Sequence, residues 1–152
     1  MMDIILKLLV ALALGMAVGL ERILTRNGAG MRTYGLVSMG AALFMILALE
    51  VGVATNVPGE VLRVLGQVVS GIGFLGVGVI YFSREENMRV GVTSAAGLLV
   101  VAAIGSAVGL GMFQIAFIAT LLTIFTFTYI LRIERWAEKK FRKDGEINPD
   151  IG

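Results

Sequence analysis

The sequence contains no cysteine and no histidine, and only 16% of its 152 residues are charged. Without cysteine the chain has no disulfides, thiolate metal sites or cysteine nucleophile, and without histidine it lacks the commonest acid–base group. A metal site would have to be built from oxygen ligands, which suit magnesium or calcium. Only two prolines occur, Pro58 and Pro149, and both lie outside the apolar segments.

Apolar residues dominate what remains. They make up 57% of the chain, and the mean hydropathy is +0.89. A soluble domain carries about 25% charged and about 45–50% apolar residues. Because backbone groups in lipid must satisfy their own hydrogen bonds, the apolar segments are expected to be helical. The composition therefore predicts an all-α, polytopic transmembrane helical bundle.

The uncharged runs predict five transmembrane helices. Val64 to Ser83 is uncharged for 20 residues, enough to cross a hydrocarbon core of ~30 Å. Val90 to Leu131 is uncharged for 42 residues, which suits two spans joined at Gly109-Leu110-Gly111. The first apolar run, Ile4 to Leu20, has an acidic flank and no small-residue cleavage site, so we predict that it is a transmembrane span and not a signal peptide. The predicted spans, within a domain of residues 1–131, are 4–20, 33–49, 64–82, 90–108 and 112–131.

The basic residues predict the orientation of these spans. Two of the Lys and Arg residues fall on one side of the membrane and 11 on the other. Because cytoplasmic loops carry the excess of Lys and Arg, we predict the amino end outside and the carboxyl end in the cytoplasm. Residues 132–152 read as a basic amphipathic tail that would lie on the anionic inner leaflet. Nucleic-acid binding is not expected.

Glycine is concentrated in the third predicted span. In lipid, small residues let neighbouring helices approach closely, so a glycine-rich span is expected at helix contacts. We therefore predict that this span is the central helix of the bundle, the alternative being a packing helix with no site of its own. The predicted helix-packing glycines are Gly15 and Gly19 in the first span and Gly66, Gly71, Gly73, Gly76 and Gly78 in the third.

Charges near the membrane mark a candidate functional site. Glu21 and Arg22 end the first span, and Arg32 precedes the second. Ionisable groups at such depths usually face the bundle or a cavity, so we predict an ion pair between Glu21 and Arg32. The alternative is that the arginines are only anchors and Glu21 is their counter-ion. The candidate polar cluster is Glu21, Arg22, Arg32, Thr33, Ser70 and Thr93. Glu21 is the sole candidate metal ligand, and no cofactor is expected.

Five motifs resemble the MgtC/SapB membrane family over about residues 11–111. They are Gly19-Leu-Glu-Arg22, Ala29-Gly-Met-Arg-Thr33, Val69-Ser-Gly-Ile-Gly-Phe-Leu-Gly-Val-Gly-Val-Ile80, Thr93-Ser-Ala-Ala96 and Ile104-Gly105. The resemblance implies a multi-pass protein of the bacterial or archaeal cytoplasmic membrane, associated with magnesium homeostasis and growth in low magnesium. It also implies one of two roles, magnesium transport or regulation of a partner membrane complex such as the ATP synthase.

Three features depart from the family pattern. Many members carry a soluble carboxyl-terminal domain, whereas here only the tail of residues 132–152 follows the spans, so we expect the transmembrane domain alone. Around Thr93, Arg89 is displaced by one position, and Leu98-Leu99 replaces a tryptophan that is common in the family. The two departures near Thr93 weaken the assignment of the family's site residues to Thr93 more than to Glu21 and Arg32.

Three functions compete at this point. A transporter needs polar groups inside the membrane, but the apolar runs contain no carboxylate. Their candidate polar side chains are hydroxyls and amides: Ser38, Gln67, Ser70, Thr93, Ser94, Ser106 and Gln114. An enzyme is not expected, since no serine stands in a Gly-x-Ser-x-Gly elbow. A regulator that packs against a partner membrane protein, or against further copies of itself, needs only small-residue faces. We therefore expect a regulator, with an ion transporter or channel as the alternative.

Overall fold

The structure, a computed structural model, describes residues 2–24, 29–57, 59–83, 88–130 and 132–133. These residues form five long helices and contain no strand. A π-helical turn, Thr126–Ile130, follows directly on the last helix. The helices are α1 (Met2–Leu24), α2 (Met31–Thr55), α3 (Glu60–Ser83), α4 (Met88–Gly109) and α5 (Phe113–Phe125).

Five helices are long and apolar enough to cross a membrane, which confirms the predicted number of spans. The five candidate spans have mean hydropathies between 1.8 and 2.2, and the last runs through the π-helical turn from Phe113 to Ile130. Helices α1 to α4 extend beyond the predicted apolar segments into their polar ends, whereas the last span lies within the predicted 112–131. The orientation stays a prediction, and the predicted amphipathic tail from residue 134 onward lies outside the described residues.

Two short connections use residues that tolerate left-handed backbone. Asn56, with φ 56°, caps the carboxyl end of α2, and its N–H donates to the carbonyl oxygens of Gly52 and Val53. Asparagine is among the few residues apart from glycine that adopt this conformation readily. Gly111, with φ 80°, lies in the turn between α4 and α5, where the glycine pattern predicts a turn.

The centre of the bundle is α4, which corrects the prediction that α3 is central. Helix α4 packs against all four other helices, whereas α3 contacts only α2 and α4. In the α4 span 56% of residues are buried, against 11% in α3. Glycine content indicates that close approach is possible, but it does not say which side of a helix is approached.

The glycines at close helix contacts lie on α1, α2 and α4. A Cβ added at Gly15 would lie 2.6 Å from the carbonyl oxygen of Tyr34, and one at Gly19 would lie 2.6 Å from the Met31 Cα. On α4, a Cβ at Gly105 would collide with the carbonyl oxygen of Ser38. At these glycines the backbones of α1 and α4 approach the backbone of α2 closely, as small residues allow in membrane bundles.

Of the five α3 glycines predicted to pack, only Gly76 lies against another described helix in this chain. A Cβ at Gly76 would make only ordinary contact with Ala95, at 3.4 Å. At the other four positions it would meet no atom within 4 Å: Gly66, Gly71, Gly73 and Gly78. Gly66, Gly71 and Gly73 lie on exposed faces of a helix at the edge of the bundle, and Gly78 is half-buried.

Candidate functional site

Arg22, near the end of α1, is buried against α2, α4 and the π-helical turn. Its residue is 3% exposed, and its Nη2 atom donates a hydrogen bond to the hydroxyl oxygen of Ser94 on α4, at 3.3 Å. Its guanidinium carbon lies 4.5 Å from the ring centroid of Phe127 in the π-helical turn. A guanidinium stacks well on an aromatic face, and the attraction reaches about 2 kcal/mol or more when water is excluded.

Tyr34 forms the α2 side of the same centre. The residue is fully buried, and its hydroxyl donates to the backbone carbonyl of Ser94, at 3.2 Å, and lies beside Arg22. The ring and hydroxyl fit there because Gly97 has no side chain: a Cβ at Gly97 would lie 2.5 Å from the Tyr34 hydroxyl and 2.8 Å from Phe127 Cζ. Gly97 therefore sets the space in which three helices meet.

Glu21 supplies the negative charge of the centre. The residue is 7% exposed, and the Arg22 guanidinium and the Thr128 side chain lie near its carboxylate. A charge taken out of water is costly unless an opposite charge and hydrogen bonds compensate it. The adjacent acid and base therefore make a neutral unit that the bundle can bury.

The π-helical turn places Phe127 and Thr128 against this unit. Single π-helical turns are rare and are frequent at functional sites. Thr126 at its start donates to the carbonyl oxygen of Leu122, at 2.8 Å. One extra residue per turn changes the face that the following side chains present, so Phe127 and Thr128 depend on the turn for their positions.

The structure brings together only part of the predicted polar cluster. Glu21 and Arg22 are buried in the centre, whereas Arg32, Thr33, Ser70 and Thr93 are exposed on the surfaces of their helices. Ser70 lies on α3, which does not pack against α1. The predicted cluster is therefore corrected to one around Arg22.

The predicted Glu21–Arg32 ion pair is not formed. Glu21 is buried in the centre, whereas Arg32 is exposed on α2, and no contact between them is found among the described residues. Residues two apart on a helix point about 200° away from each other, at 3.6 residues per turn. Since Tyr34 points into the centre, Arg32 points out of it.

Five residues of the centre were missed by the sequence reasoning: Tyr34, Ser94, Gly97, Phe127 and Thr128. Ser94 stood among the polar groups of the apolar runs, and its place beside Thr93 was the available signal. No signal singled out Phe127, because the last span contains other phenylalanines of the same kind. The described residues contain no group of three or more acidic residues that could hold a metal ion. Glu21, the predicted candidate ligand, is buried.

The fold and this centre define a polytopic α-helical membrane protein with a buried, charge-balanced polar unit at one end of its bundle. The MgtC family model matches residues 8–136, and the chain belongs to the MgtC family. No solved structure matches it.

Three relatives illustrate the similarity. The chain is 41% identical over 125 residues to the "Putative magnesium transporter YhiD" of Escherichia coli K12, covering 80% of this chain and 57% of that protein. It is 42% identical over 125 residues to Protein MgtC of Salmonella typhimurium, covering 82% and 51%. It is 33% identical over 139 residues to Protein SrpB of Synechococcus elongatus, covering 86% and 76%. The chain thus spans little more than half the length of YhiD and MgtC.

Proposed function

We propose that this protein acts in magnesium homeostasis as a regulator of a partner complex in the bacterial cytoplasmic membrane, without catalytic activity of its own. Membership of the MgtC family and the name of the relative YhiD support the link to magnesium. The five apolar helices support a multi-pass membrane protein. The choice of a regulator over an ion path is carried by the position of Arg22.

Arg22 places a fixed positive charge where the helices converge. Mg²⁺ gives up its waters reluctantly, and proteins usually hold it through one or two carboxylates while it keeps several waters. In this centre the Glu21 carboxylate lies next to Arg22, and the guanidinium is covered by Phe127 and Ser94. A magnesium ion that entered would be repelled by the arginine and would compete with it for the acid. The centre is suited to locking helices together.

The exposed glycines of α3 support a role in contact with another protein. Gly66 and Gly73 are exposed and have open space where a Cβ would lie, and in lipid such positions allow close helix approach. A regulator that packs against a partner would use a face of this kind. The candidate partner is the ATP synthase, which the family resemblance implies.

A magnesium transporter is the second candidate. The name of YhiD favours it, and Glu21 is a buried acid that a cation could reach if the bundle opened. For a transporter, Arg22 would have to move away from Glu21 during each cycle. The two candidates therefore differ in whether magnesium flux accompanies function.

Parallel measurements of flux and growth separate the candidates. The purified chain is reconstituted in liposomes that contain a magnesium-sensitive dye, and the same chain is expressed in a strain that lacks its own copy and grows poorly at limiting magnesium. We expect restored growth with no magnesium flux above that of empty liposomes. Saturable flux that is abolished by Glu21→Gln and retained in Arg32→Gln would overturn the regulator and establish the transporter.

A further inference from the structure

A cleft of about 240 Å³ lies between α4 and the end of α5, and the Phe127 ring forms part of its wall. The rest of the wall is mainly apolar and includes Ala96 and Val100 on α4 and Leu122 and Thr123 on α5. An apolar cavity of about 150 Å³ is large enough to hold benzene. The cleft therefore has room for the Phe127 ring itself, beside the position that the ring occupies.

The end of α5 has two backbone forms that would place this ring differently. In an α-helix, residues at i and i+4 are neighbours on one face, so a regular helix would hold Phe127 over Thr123, which lines the cleft. The structure has a π-helical turn from Thr126 onward. With this turn the ring lies on the Arg22 guanidinium, whose carbon is 4.5 Å from the ring centroid. The α and π forms thus favour different positions of the ring.

Three threonines weaken the α-helical hydrogen bonding that leads into the turn. Thr120, Thr123 and Thr126 each donate a side-chain hydrogen bond to the carbonyl oxygen four residues earlier, at 2.8, 2.6 and 2.8 Å. Bonds of this kind compete with the backbone N–H for the carbonyl, and they often bend a helix. The Leu122 carbonyl oxygen accepts both the N–H and the hydroxyl of Thr126. The α-helical ladder is therefore weakened directly before Phe127.

We propose that Phe127 is a gate over the buried centre around Arg22. Its ring exchanges between the position on Arg22 and a position in the cleft, as the turn Thr126–Ile130 changes from π-helical to α-helical. The cation–π contact that is lost is offset by burial of the ring between the apolar walls of the cleft. With the ring in the cleft, Arg22 loses its aromatic cover, and small molecules can reach Ser94. The gate does not depend on whether the protein regulates a partner or transports an ion.

Fluorine NMR tests whether the ring has two positions. The full chain carries 4-fluorophenylalanine at position 127 alone, and spectra are recorded in lipid nanodiscs with and without dissolved oxygen, which is paramagnetic and enters the apolar part of a bilayer. The cleft opens toward lipid, since its walls include the exposed Ala96 and Val100. We expect two signals, of which the one from the cleft is broadened by oxygen. Under fast exchange we expect one averaged signal that oxygen broadens in part.

Filling the cleft provides a matched comparison. Ala96→Phe places another ring between the walls, so it should lower the oxygen-sensitive fraction by about tenfold, a factor within the range of overpacking effects. Ala103→Phe is the control, because Ala103 is also an exposed alanine of α4 but does not line the cleft. It should leave the fraction unchanged. Under fast exchange, the averaged signal should shift in the first variant only.

Thr126→Val tests the link between the ring and the turn. The substitution removes the hydroxyl that shares the Leu122 carbonyl, so α-helical hydrogen bonding is strengthened. The oxygen-sensitive fraction should rise by about threefold, less than a complete hydrogen bond would produce. Thr55→Val is the control, because the exposed Thr55 makes the same kind of bond on α2, to the Val51 carbonyl at 2.8 Å.

A single cysteine tests access to the centre. The chain has no cysteine of its own, and Ser94→Cys introduces a thiol at a fully buried position. Its rate of modification by uncharged methyl methanethiosulfonate should fall with Ala96→Phe by the same factor as the oxygen-sensitive fraction, and Ala103→Phe should not change it. Phe127→Ala removes the gate and should give the highest rate. Thermal unfolding of each variant verifies that the fold is kept.

The proposal fails on any of four results. The first is a fluorine signal that changes with neither oxygen nor Ala96→Phe, which would show a fixed ring. The second is an equal effect of Ala96→Phe and Ala103→Phe in either measurement. The third is a Thr126→Val spectrum that matches the Thr55→Val spectrum, since the ring would then move without the turn. The fourth is a Ser94→Cys modification rate that neither Ala96→Phe nor Phe127→Ala alters, which would show that the ring covers no path to the centre.

Discussion

The guanidinium carbon of Arg22 lies 4.5 Å from the centre of the Phe127 ring, which joins the end of α1 to the π-helical turn after α5. The two residues are more than a hundred positions apart in the sequence. The same arginine reaches Ser94 on α4 and lies beside Tyr34 on α2. One buried side chain on α1 thus contacts three other parts of the chain, and it should be more sensitive to substitution than the other arginines near the membrane.

Replacement of Arg22 by lysine should destabilise the bundle even though the charge is kept. A lysine ammonium has no planar group that could stack on Phe127 while it also donates to Ser94. The desolvated cation–π contact that is weakened amounts to about 2 kcal/mol or more. We expect a lower unfolding temperature in detergent and poor growth support at limiting magnesium. Arg32→Lys is the control and should behave like the parent, because Arg32 is exposed. Equal effects of the two substitutions would contradict the geometry.

Removal of the Tyr34 hydroxyl should have a smaller effect. Tyr34→Phe keeps the ring in its place and loses the hydrogen bond to the Ser94 carbonyl, so the free energy of unfolding should fall by about 1 kcal/mol. Tyr81→Phe removes a hydroxyl from an exposed tyrosine on α3 and should change nothing measurable. If chemical denaturation in detergent gives the same stability for both variants, the Tyr34 hydroxyl does not contribute to the centre.

The glycine contacts predict which alanine substitutions are tolerated. Gly105→Ala would push a methyl group into the Ser38 backbone, and overpacking of this kind typically costs about 1–3 kcal/mol. Gly73→Ala meets open space and should leave stability unchanged. Thermal unfolding of the two variants, compared with the parent, measures the difference. Equal stability would show that α2 and α4 are not packed as the structure has them.

These two glycines show what the sequence alone could and could not predict. The number of helices and the turn before Gly111 follow from the lengths of uncharged runs and from glycine chemistry, and both were predictable. The central helix was not, because α3 and α4 are similarly apolar and similarly rich in small residues. Which helix is enclosed depends on which faces meet, and a single sequence contains no direct measure of that.

The candidate site was predictable only in part for a related reason. Glu21 and Arg22 stand out because a charge at the end of an apolar helix is costly. Phe127 and Gly97 do not stand out, since their roles come from contacts between distant parts of the chain. The predicted partner Arg32 failed on helical geometry, as it is two residues from the inward-facing Tyr34. The π-helical turn has no sequence signal that we could identify.

The predicted orientation can be tested with single cysteines, because the chain has none of its own. Cysteines introduced at Glu86 and at Lys143 should be labelled by a membrane-impermeant maleimide only after the cells are opened, and one at Gly59 should be labelled in intact cells. The expectation rests on the excess of Lys and Arg on the cytoplasmic side. Labelling of the Glu86 position in intact cells would reverse the orientation and leave the fold intact.

The last prediction concerns the coupling between Glu21 and Arg22. Removing one member of a buried charged pair leaves the other uncompensated and can cost about 3–5 kcal/mol when burial is complete. Glu21→Gln and Arg22→Gln should therefore each destabilise strongly, and the double variant should be less destabilised than the sum of the two. Neighbouring groups typically show a coupling energy of about 0.5–3 kcal/mol in such a cycle.

Two matched cycles make this test specific. The exposed pair Glu60–Arg63 should show a coupling of only about 0.2–1 kcal/mol, as surface pairs do. Glu21 and Arg32 should show almost none, because Arg32 lies outside the centre. All three cycles can be measured by chemical denaturation in the same detergent. If Glu21 couples to Arg32 more strongly than to Arg22, the charge that balances this acid lies on α2, and the centre described here has the wrong arginine.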